Sequence, residues 1–390
     1  MWRRCLGPIA VLGTLLLLAS GCAGSPAAPS VSTPTAPAAA AGSPREGWQT
    51  QWDQTLAAAR QERTVVVSGP PGADQRQAIA DGFQAAYPDI KIEYTASRGT
   101  EIISKVVQER QAGQYLWDVI IASTNPTLLS LQPIKALAPL RDALIIPDLS
   151  QDSTWLHGFQ DGFTDDEKMY LYAPFGSSST VGYVNRDCTP ESTFNSAQDL
   201  MSPALADKLA WFDPTQPGTS SRTAWALSKE YGESWLEDLF RRQKIVYSTD
   251  HRQITDWLIA CRVGVALGIV NDFILQAQAA GVGENIKDIP MNTMFKSSAP
   301  GGAGGNTQIA WYNNAPHPNA AKIFVNWYLS RDAQQAVATS TRANSRRLDT
   351  QPGDAATAMD PSVTYLNTNT ESATRDIQAL QDKLAGWMGK

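Results

Sequence analysis

The alternation of short apolar runs with amphipathic segments, beginning at Trp48, constrains the fold of this chain more than any other feature. TVVVS (64–68) is β-branched and stops at Gly-Pro-Pro-Gly, which is typical of a strand buried on both faces. IKIEYT (90–95) and LWDVIIAS (116–123) are also strand-like, and segments with apolar residues four apart precede and separate the strands. This order predicts a mainly parallel sheet, flanked by helices and joined by right-handed crossovers.

A second α/β set is indicated from about Asn185 to Met291. It contains the strand-like KLAWFD (208–213) and VGVALGI (263–269), and the helix-like TAWALSKEY (223–231). After a Gly-rich loop, a further strand, a Pro-bounded turn and helices close the chain. About 340 residues follow the N-terminal segments, which exceeds one typical domain and predicts two.

The N-terminus has the order of an export signal. Arg3 and Arg4 precede an apolar stretch (6–19) that is shorter than the roughly 20 residues of a membrane-spanning helix. The sequence Ala19-Ser20-Gly21-Cys22 then resembles a bacterial lipobox, in which the cysteine is lipidated and becomes the new N-terminus. An ordinary signal peptide, cleaved nearby with Cys22 incidental, is the alternative.

The segment after Cys22 consists almost entirely of Ala, Pro, Ser, Thr and Gly, and has no large apolar residue to bury. We therefore expect a lipoprotein signal peptide at 1–21 and a lipidated, disordered linker at 22–47. The protein would be exported and anchored by lipid to the extracytoplasmic side of a bacterial membrane, in the periplasm or at the cell surface.

Charge and motifs narrow the function classes. Without residues 1–21 the formal net charge changes from -6 to -8, and the absence of basic clusters argues against nucleic acid as a partner. G-x-S-x-G, H-E-x-x-H and C-x-x-C motifs are absent from the sequence, which favours binding over catalysis and predicts no metal or cofactor. Cys188 and Cys261 fit either a disulfide or two buried thiols.

Polar residues gather in the loops that follow the predicted strands. In open α/β sheets ligands bind outside the carboxyl ends of the strands, where the N–H groups of the next helix are free. Small hydroxyl and amide side chains are also ordinary N-caps, and Arg98 fits a solvated loop charge equally well. Taken together, these loops predict solute contacts at Ser68, Gly69, Ser97, Arg98, Ser123, Thr124, Asn125, Asn271, Asp272 and Phe273.

Two further segments are rich in serine and glycine. APFGSSSTVGYVNRD (173–187) lies where the first α/β set gives way to the second, and suits a chain that crosses between domains and lines the cleft. DPTQPGTSSRTAW (213–225) places hydroxyl groups at a helix start, which is a ready site for an oxyanion. The expected contacts in these segments are Ser177, Ser178, Ser179, Thr219 and Ser220.

Four stretches, LAAARQERTVVVSGPPG, WDVIIASTNPTLLSLQ, TVGYVNRD and APHPNAAKIFVNWYLSRDAQQAV, occur in this order between Trp48 and Val337. They resemble the extracellular solute-binding proteins of ABC importers, in the group of ferric-iron and polyamine binders with the type II periplasmic-binding-protein fold. The resemblance implies two α/β lobes joined by hinge strands, with a cleft that closes over a small solute before delivery to the permease subunits. It implies a monomer with 48–178 and 291–390, including the C-terminal helices, in lobe 1, and 179–290 in lobe 2.

The solute class follows from a departure within that resemblance. Iron-binding relatives hold Fe(III) with adjacent tyrosines, and the corresponding places here are Phe273 and Ile274, which supply no phenolate. The hydroxyl-rich strand ends favour an anionic solute or one with a phosphate or phosphonate group, while an iron chelate stays possible. Aromatic side chains for stacking are Tyr183, Trp211 and Phe273, with Trp211 equally suited to the core.

Two other functions stay open. One is an exported, lipid-tethered hydrolase or transferase that uses Asp213 or Asp272 as a base, for which the sequence shows no second titrating group. The other is a sensor subunit that presents its closed form to a signalling partner.

Overall fold

The computed structural model describes residues 47–289, 294–297 and 307–389. The predicted signal peptide, the proposed anchor Cys22 and nearly all of the linker lie outside the described residues. The helices are α1 Gly47–Glu62, α2 Ala73–Arg76, α3 Gly82–Ala86, α4 Gly99–Gln111, α5 Thr124–Leu131, α6 Thr219–Tyr231, α7 Glu233–Arg242, α8 His251–Ile259, α9 Asp272–Ala279, α10 Pro318–Tyr328, α11 Arg331–Thr341 and α12 Glu371–Trp387.

A π-helical turn, Gln77–Asp81, joins α2 to α3. The strands are β1 Thr64–Gly69, β2 Lys91–Ala96, β3 Val119–Ala122, β4 Leu137–Ala138, β5 Ser177–Ser179, β6 Gly182–Asn185, β7 Leu209–Phe212, β8 Val246–Ser248, β9 Val265–Leu267, β10 Ile286–Asp288, β11 Met294–Ser297, β12 Gln308–Tyr312 and β13 Tyr365–Asn367. Short 3-10 helices are Leu140–Ala143, Pro147–Ser150, Asp152–Thr154, Gln160–Gly162, Ala197–Met201, Pro203–Leu205 and Ala355–Thr357.

The first lobe is built on a sheet of order β2-β1-β3-β12-β4. β1 pairs in parallel with β2 and β3, as the helix–strand alternation predicts, whereas β12 runs antiparallel to β3 and β4. The sheet is therefore mixed rather than mainly parallel, because β12 enters it on the return from the second lobe and not through a βαβ crossover. Its core includes Val65, Val67, Phe83, Ile309 and Phe324, all fully buried.

The second lobe has its own mixed sheet, of order β10-β6-β9-β7-β8. β7 is parallel to β8 and β9, and β6 is antiparallel to β9 and β10. A separate hydrophobic cluster includes Val184, Leu209, Trp211, Leu239 and Val265. The predicted two-lobe α/β fold is confirmed.

A third sheet marks the crossings between the two lobes. In it β11 pairs antiparallel with β5 and parallel with β13. Along the chain, β5 lies between Phe175 of the first core and Val181 of the second, and β11 carries the chain back. β13 lies between Ala343 of the first core and Ala373 of the second, which makes it a third crossing that the sequence analysis did not foresee.

The C-terminal helix α12 differs from its predicted place in the first lobe. Its apolar residues Ile377, Leu380 and Leu384 pack into the core of the second lobe. Its first turn still contacts the first lobe, because the Glu371 N–H donates to the carbonyl oxygen of Thr164 at 2.7 Å. The apolar stripe identified a buried helix face, but a stripe does not specify which core covers it.

Cys188 and Cys261 form a disulfide, with their Cα atoms 5.9 Å apart. Of the two alternatives left by the sequence, the structure thus contains the cross-link. Because structural disulfides are rare in reducing compartments, this agrees with an exported protein.

Candidate functional site

The carboxyl ends of β1, β2 and β3 meet at one edge of the first sheet. Gly69 pairs with Ala96 in the parallel register, and the Ser97 N–H donates to the Gly69 carbonyl oxygen at 2.9 Å. A Cβ placed on Gly99 would lie 3.8 Å from Cγ of Pro126, so α4 begins beside α5. This edge, which we call the lobe 1 edge, brings together the predicted residues Gly69, Ser97, Arg98, Ser123 and Thr124.

The second sheet has a corresponding edge at the carboxyl ends of β7 and β9. The two strands are parallel, with Trp211 opposite Leu267. A Cβ placed on Gly268 would lie 2.8 Å from Cα of Ser220, so the loop after β9 lies against the start of α6. This edge, the lobe 2 edge, brings together the predicted residues Thr219, Ser220, Asn271, Asp272 and Phe273.

The predicted crossing serines Ser177, Ser178 and Ser179 form β5 in the crossing sheet. They adjoin the lobe 2 edge, because the Gly268 N–H donates to the carbonyl oxygen of Val181 at 3.0 Å, two residues after β5 ends. Ser177 is buried, and Ser178 and Ser179 are partly exposed. The structure therefore places all three serines in the sheet where the chain crosses between the lobes.

Side-chain capping differs between the helices, including those near the lobe 2 edge, where α8 begins after β8, the parallel neighbour of β7. The N-cap residues of α4, α5 and α9 make no side-chain capping bond within the described residues, and Ser123 and Asn271 leave this role unused although their types favour it. At α6 the N-cap is Gly218, which has no side chain, and its N–H donates to the Ser221 hydroxyl at 3.2 Å. In contrast, Asp250 caps α8 by accepting from Arg252 N–H at 2.8 Å. The first-turn N–H groups at the two edges lack a side-chain acceptor within the described residues.

The start of α10 is capped from a distant part of the chain. Its N-cap is His317, but the carboxylate of Glu62 on α1 accepts from Ala320 N–H at 2.7 Å and from Asn319 N–H at 3.2 Å. Thr370 caps α12 in the ordinary way, at 3.1 Å from Ala373 N–H. α7 is also uncapped, but it begins at Gly232 directly after α6 and has the acidic Glu233 in its first turn.

Several predicted contacts are held in the protein interior. Ser68 is fully buried, and its hydroxyl lies beside that of Tyr312. Ser220 is also buried, and its hydroxyl donates to the carbonyl oxygen of Phe212. Gly69 has a packing role, because a Cβ there would lie 2.2 Å from the hydroxyl oxygen of Tyr94.

Other predicted contacts are accessible. Ser97, Ser123 and Asn271 are partly exposed, and Arg98 and Asp272 are exposed. Thr124 is buried, and its hydroxyl has no hydrogen-bond partner in the part of the chain that the structure describes. The side chain of Asn125 lies outside that part.

The aromatic candidates divide in the same way. Trp211 is fully buried with its ring 4.8 Å from that of Phe240, so it belongs to the core. Phe273 is partly exposed, and the Arg252 guanidinium lies 5.7 Å from the centre of its ring. Ile274 is buried, so neither place that holds tyrosine in iron-binding relatives offers an oxygen ligand here.

Titratable groups at the lobe 2 edge are shifted mainly by burial. Burial raises the pKa of Tyr183, to which Asp288 and Asp272 contribute, so its phenol stays protonated. Burial lowers the pKa of His251, whose ring stacks on Phe212 at 3.8 Å, so the imidazole is neutral at pH 7. The two groups are themselves uncharged, and the Asp272 carboxylate lies close enough to raise the pKa of each.

Asp213, one of the two carboxylates considered as a catalytic base, closes a turn. Its Oδ1 accepts from the Thr215 N–H at 3.0 Å and from the Thr215 hydroxyl at 2.7 Å.

Among the described residues, no group of three or more His, Cys, Asp or Glu side chains is arranged to hold a metal ion.

Sequence reasoning missed Arg222, which lies in the first turn of α6 directly after the GTSS run. Its side chain is only partly exposed, and burial lowers its pKa. No hydrogen-bonding or ion-pairing side chain partners it within the described residues. Its position beside a predicted oxyanion site was visible in the sequence, but the missing counter-ion was not.

The fold is shared with solved solute-binding proteins. Iron-bound HitA from Pseudomonas aeruginosa is 17% identical, with a TM-score of 0.53 over 82% of this chain and 99% of that chain. An extracellular solute-binding protein from Bordetella parapertussis is 13% identical, with a TM-score of 0.63 over 84% of this chain and 98% of that chain. AfuA from Actinobacillus pleuropneumoniae, with fructose-6-phosphate bound, is 14% identical, with a TM-score of 0.51 over 84% of this chain and 98% of that chain.

Within the described residues, no helix has both the length and the apolar character needed to cross a bilayer. None of the curated proteins matches the sequence.

Residues 69–335, more than half of the chain, match the sequence model of the family described as bacterial extracellular solute-binding protein. Together with the two lobes and the two strand-end edges, this match shows that the chain belongs to the bacterial extracellular solute-binding protein family.

Proposed function

We propose that the chain is a lipid-anchored extracytoplasmic receptor that binds a small anionic solute between its lobes and delivers it to the permease of an ABC importer by hinge closure. The solute class includes phosphates, phosphonates and carboxylates, and therefore iron chelates with free carboxylates. The boundaries predicted for the lobes are part of this proposal, with α12 moved to the second lobe.

The observation that carries the proposal is the set of uncapped helix starts, α4 and α5 at the lobe 1 edge and α6 and α9 at the lobe 2 edge. A helix N-terminus has a partial positive charge and free N–H donors, both of which favour an anion. A solute that engages both edges binds the closed arrangement more tightly than the open one, and this differential affinity closes the hinge.

The export signal is supported by the N-terminal sequence pattern and by the Cys188–Cys261 disulfide, and the anchor by the lipobox-like Ala19-Ser20-Gly21-Cys22. Structural similarity alone leaves the solute open, because HitA is described as iron-bound and AfuA as fructose-6-phosphate-bound. Phe273 and Ile274 favour an organic or phosphorus-containing anion over direct ferric ligation.

The proposal is tested by identifying a co-purified small molecule by native mass spectrometry and measuring its affinity by calorimetry. The double variant Ser123→Ala/Asn271→Ala, with one change at each edge, should bind it about tenfold more weakly or worse, because two polar contacts are lost. Ser330→Ala, at the capped start of α11, is the matched control and should leave affinity unchanged. Unchanged affinity in the double variant, or a molecule recovered chemically altered, would contradict the proposal.

A further inference from the structure

We propose that Arg222 is the solute's counter-ion, so that the second lobe selects a solute with an oxyanion group. This inference rests on the proposed receptor function and specifies its lobe 2 edge. The helix starts alone would bind any polar ligand. The inference assigns recognition of the solute's negative charge to one side chain.

The position of Arg222 on α6 directs it toward the free N–H groups. Its own N–H donates to the carbonyl oxygen of Gly218 at 3.3 Å, one turn earlier. Helical side chains lean toward the N-terminus, which favours a position of the Arg222 guanidinium near the first turn. Gly218, with φ of 135°, has open space where a side chain would be, which leaves room above that turn.

The two serine hydroxyls before Arg222 are engaged elsewhere. The Ser221 hydroxyl donates to the Gly218 carbonyl oxygen at 3.1 Å, and that of Ser220 donates to Phe212. Thr223, the next residue, is fully buried, and its hydroxyl also lacks a partner within the described residues. The first turns of α6 therefore combine a cation with a hydroxyl that no described group satisfies.

Three other cations, one exposed and two buried, are paired with carboxylates. Lys229, further along α6, lies 2.8 Å from a carboxylate oxygen of Asp376. The buried guanidinium groups of Arg346 and Arg347 lie 2.9 Å from Asp161 and 2.8 Å from Asp148. Arg222 is partly exposed and has no such partner among the described residues. A charge that is partly removed from water and unpaired is costly, and a binding site is a place where such a cost is retained for a ligand.

The chemistry of the site selects the ligand class. A guanidinium remains charged even when burial lowers its pKa, and its planar donors match the two oxygens of a carboxylate or phosphate. The N–H groups of the first turn add donors on the same side. An oxyanion at this place satisfies both sets of donors, which an uncharged hydroxyl cannot do.

Thermal unfolding of the full chain without solute gives the first test. Arg222→Met removes the unpaired charge and keeps the hydrocarbon length, so it should raise Tm by about 2 °C. A fall in Tm would show that Arg222 has a structural role and would overturn the inference.

Binding gives the second test, with inorganic phosphate, methylphosphonate, citrate and uncharged fructose as probes. At least one oxyanion should bind the parent. The same oxyanion should bind Arg222→Met about tenfold more weakly, and should bind Arg222→Lys with an intermediate affinity. Arg241→Gln, which changes an exposed arginine on α7, should bind as the parent does. Equal oxyanion binding by Arg222→Met, or no oxyanion binding by the parent, would overturn the inference.

Failure of the receptor proposal gives a different result. If native mass spectrometry finds an uncharged solute that Arg222→Met binds normally, the receptor function survives and the role of Arg222 does not. If neither a co-purified solute nor any probe binds the parent, both proposals are contradicted.

Discussion

Two groups of helix starts in this molecule treat their free N–H groups differently. At α8 and α10 a carboxylate closes the first turn, Asp250 in one case and the distant Glu62 in the other. At α5 and α9 the N-cap residues Ser123 and Asn271 make no capping bond. On the proposed function, the contrast is one between helix ends whose caps stabilise the fold and helix ends whose donors would bind a ligand.

The largest expected stability effect is at the start of α10. Glu62→Ala removes an acceptor for two first-turn N–H groups and for the Asn319 amide, and should lower the free energy of unfolding by about 2 kcal/mol. Denaturant unfolding measures this, and Glu62→Gln, which keeps one acceptor oxygen, should lose less. Solute affinity should not change, and a weakened affinity would break the separation of the two groups.

The cap of α8 should contribute less. Asp250→Ala removes one ordinary N-cap and should lower the free energy of unfolding by about 1 kcal/mol, while Asp250→Asn retains an acceptor oxygen and should lose only part of that. Thermal unfolding compares the two variants. Equal stability of parent and Asp250→Ala would show that the cap bond contributes nothing.

The uncapped starts should respond in the opposite sense. Ser123→Ala and Asn271→Ala, each alone, should change the free energy of unfolding by less than about 0.5 kcal/mol, because neither side chain makes a cap bond. Each should still weaken solute binding measured by calorimetry. A stability loss as large as that of Asp250→Ala would place these residues with the capped group.

A pH-dependent contact lies near the start of α12, and its loss should have the smallest effect on the free energy of unfolding. The Arg375 guanidinium, which donates to the Asp166 carboxylate, holds the pKa of Asp166 below its ordinary value of 3.8. Because the folded-state pKa is lowered, this stabilisation is complete above pH 3.8 and is lost as the pH falls through the lower value. Both groups are exposed, so the contribution is small.

Unfolding of the parent and of Asp166→Asn between pH 6 and about pH 2 tests this contact. The parent should be slightly more stable at pH 6, and the difference should shrink at the acid end of the range. A difference that stays constant with pH would show that the charge of Asp166 does not anchor α12 to the first lobe.

Much of the fold followed from periodicity. The β-branched run at 64–68 and the run at 116–123 became the buried strands β1 and β3, because such runs are stable only inside a sheet. The antiparallel direction of β12 and the docking of α12 on the second lobe were not predictable, since both depend on the path of the chain between lobes. Local sequence does not encode that path.

The position of the candidate site followed from the sequence more fully than its detail. The expectation that donors collect at strand ends identified both edges, but residue type did not reveal which serines face inward: Ser68 and Ser220 are buried, whereas Ser123 is accessible. That difference depends on the direction of each side chain relative to the sheet. Arg222 was missed because the absence of a counter-ion among the described residues is a property of the folded surroundings.

The most direct test of the central claim is a crystal structure of the full chain with its co-purified solute. The account predicts that the solute's oxyanion lies within hydrogen-bonding distance of the Thr219 or Ser220 backbone N–H, beside Arg222, and that the same solute contacts the start of α4 or α5. A solute that contacts one lobe only, or that lies away from these helix starts, would contradict it.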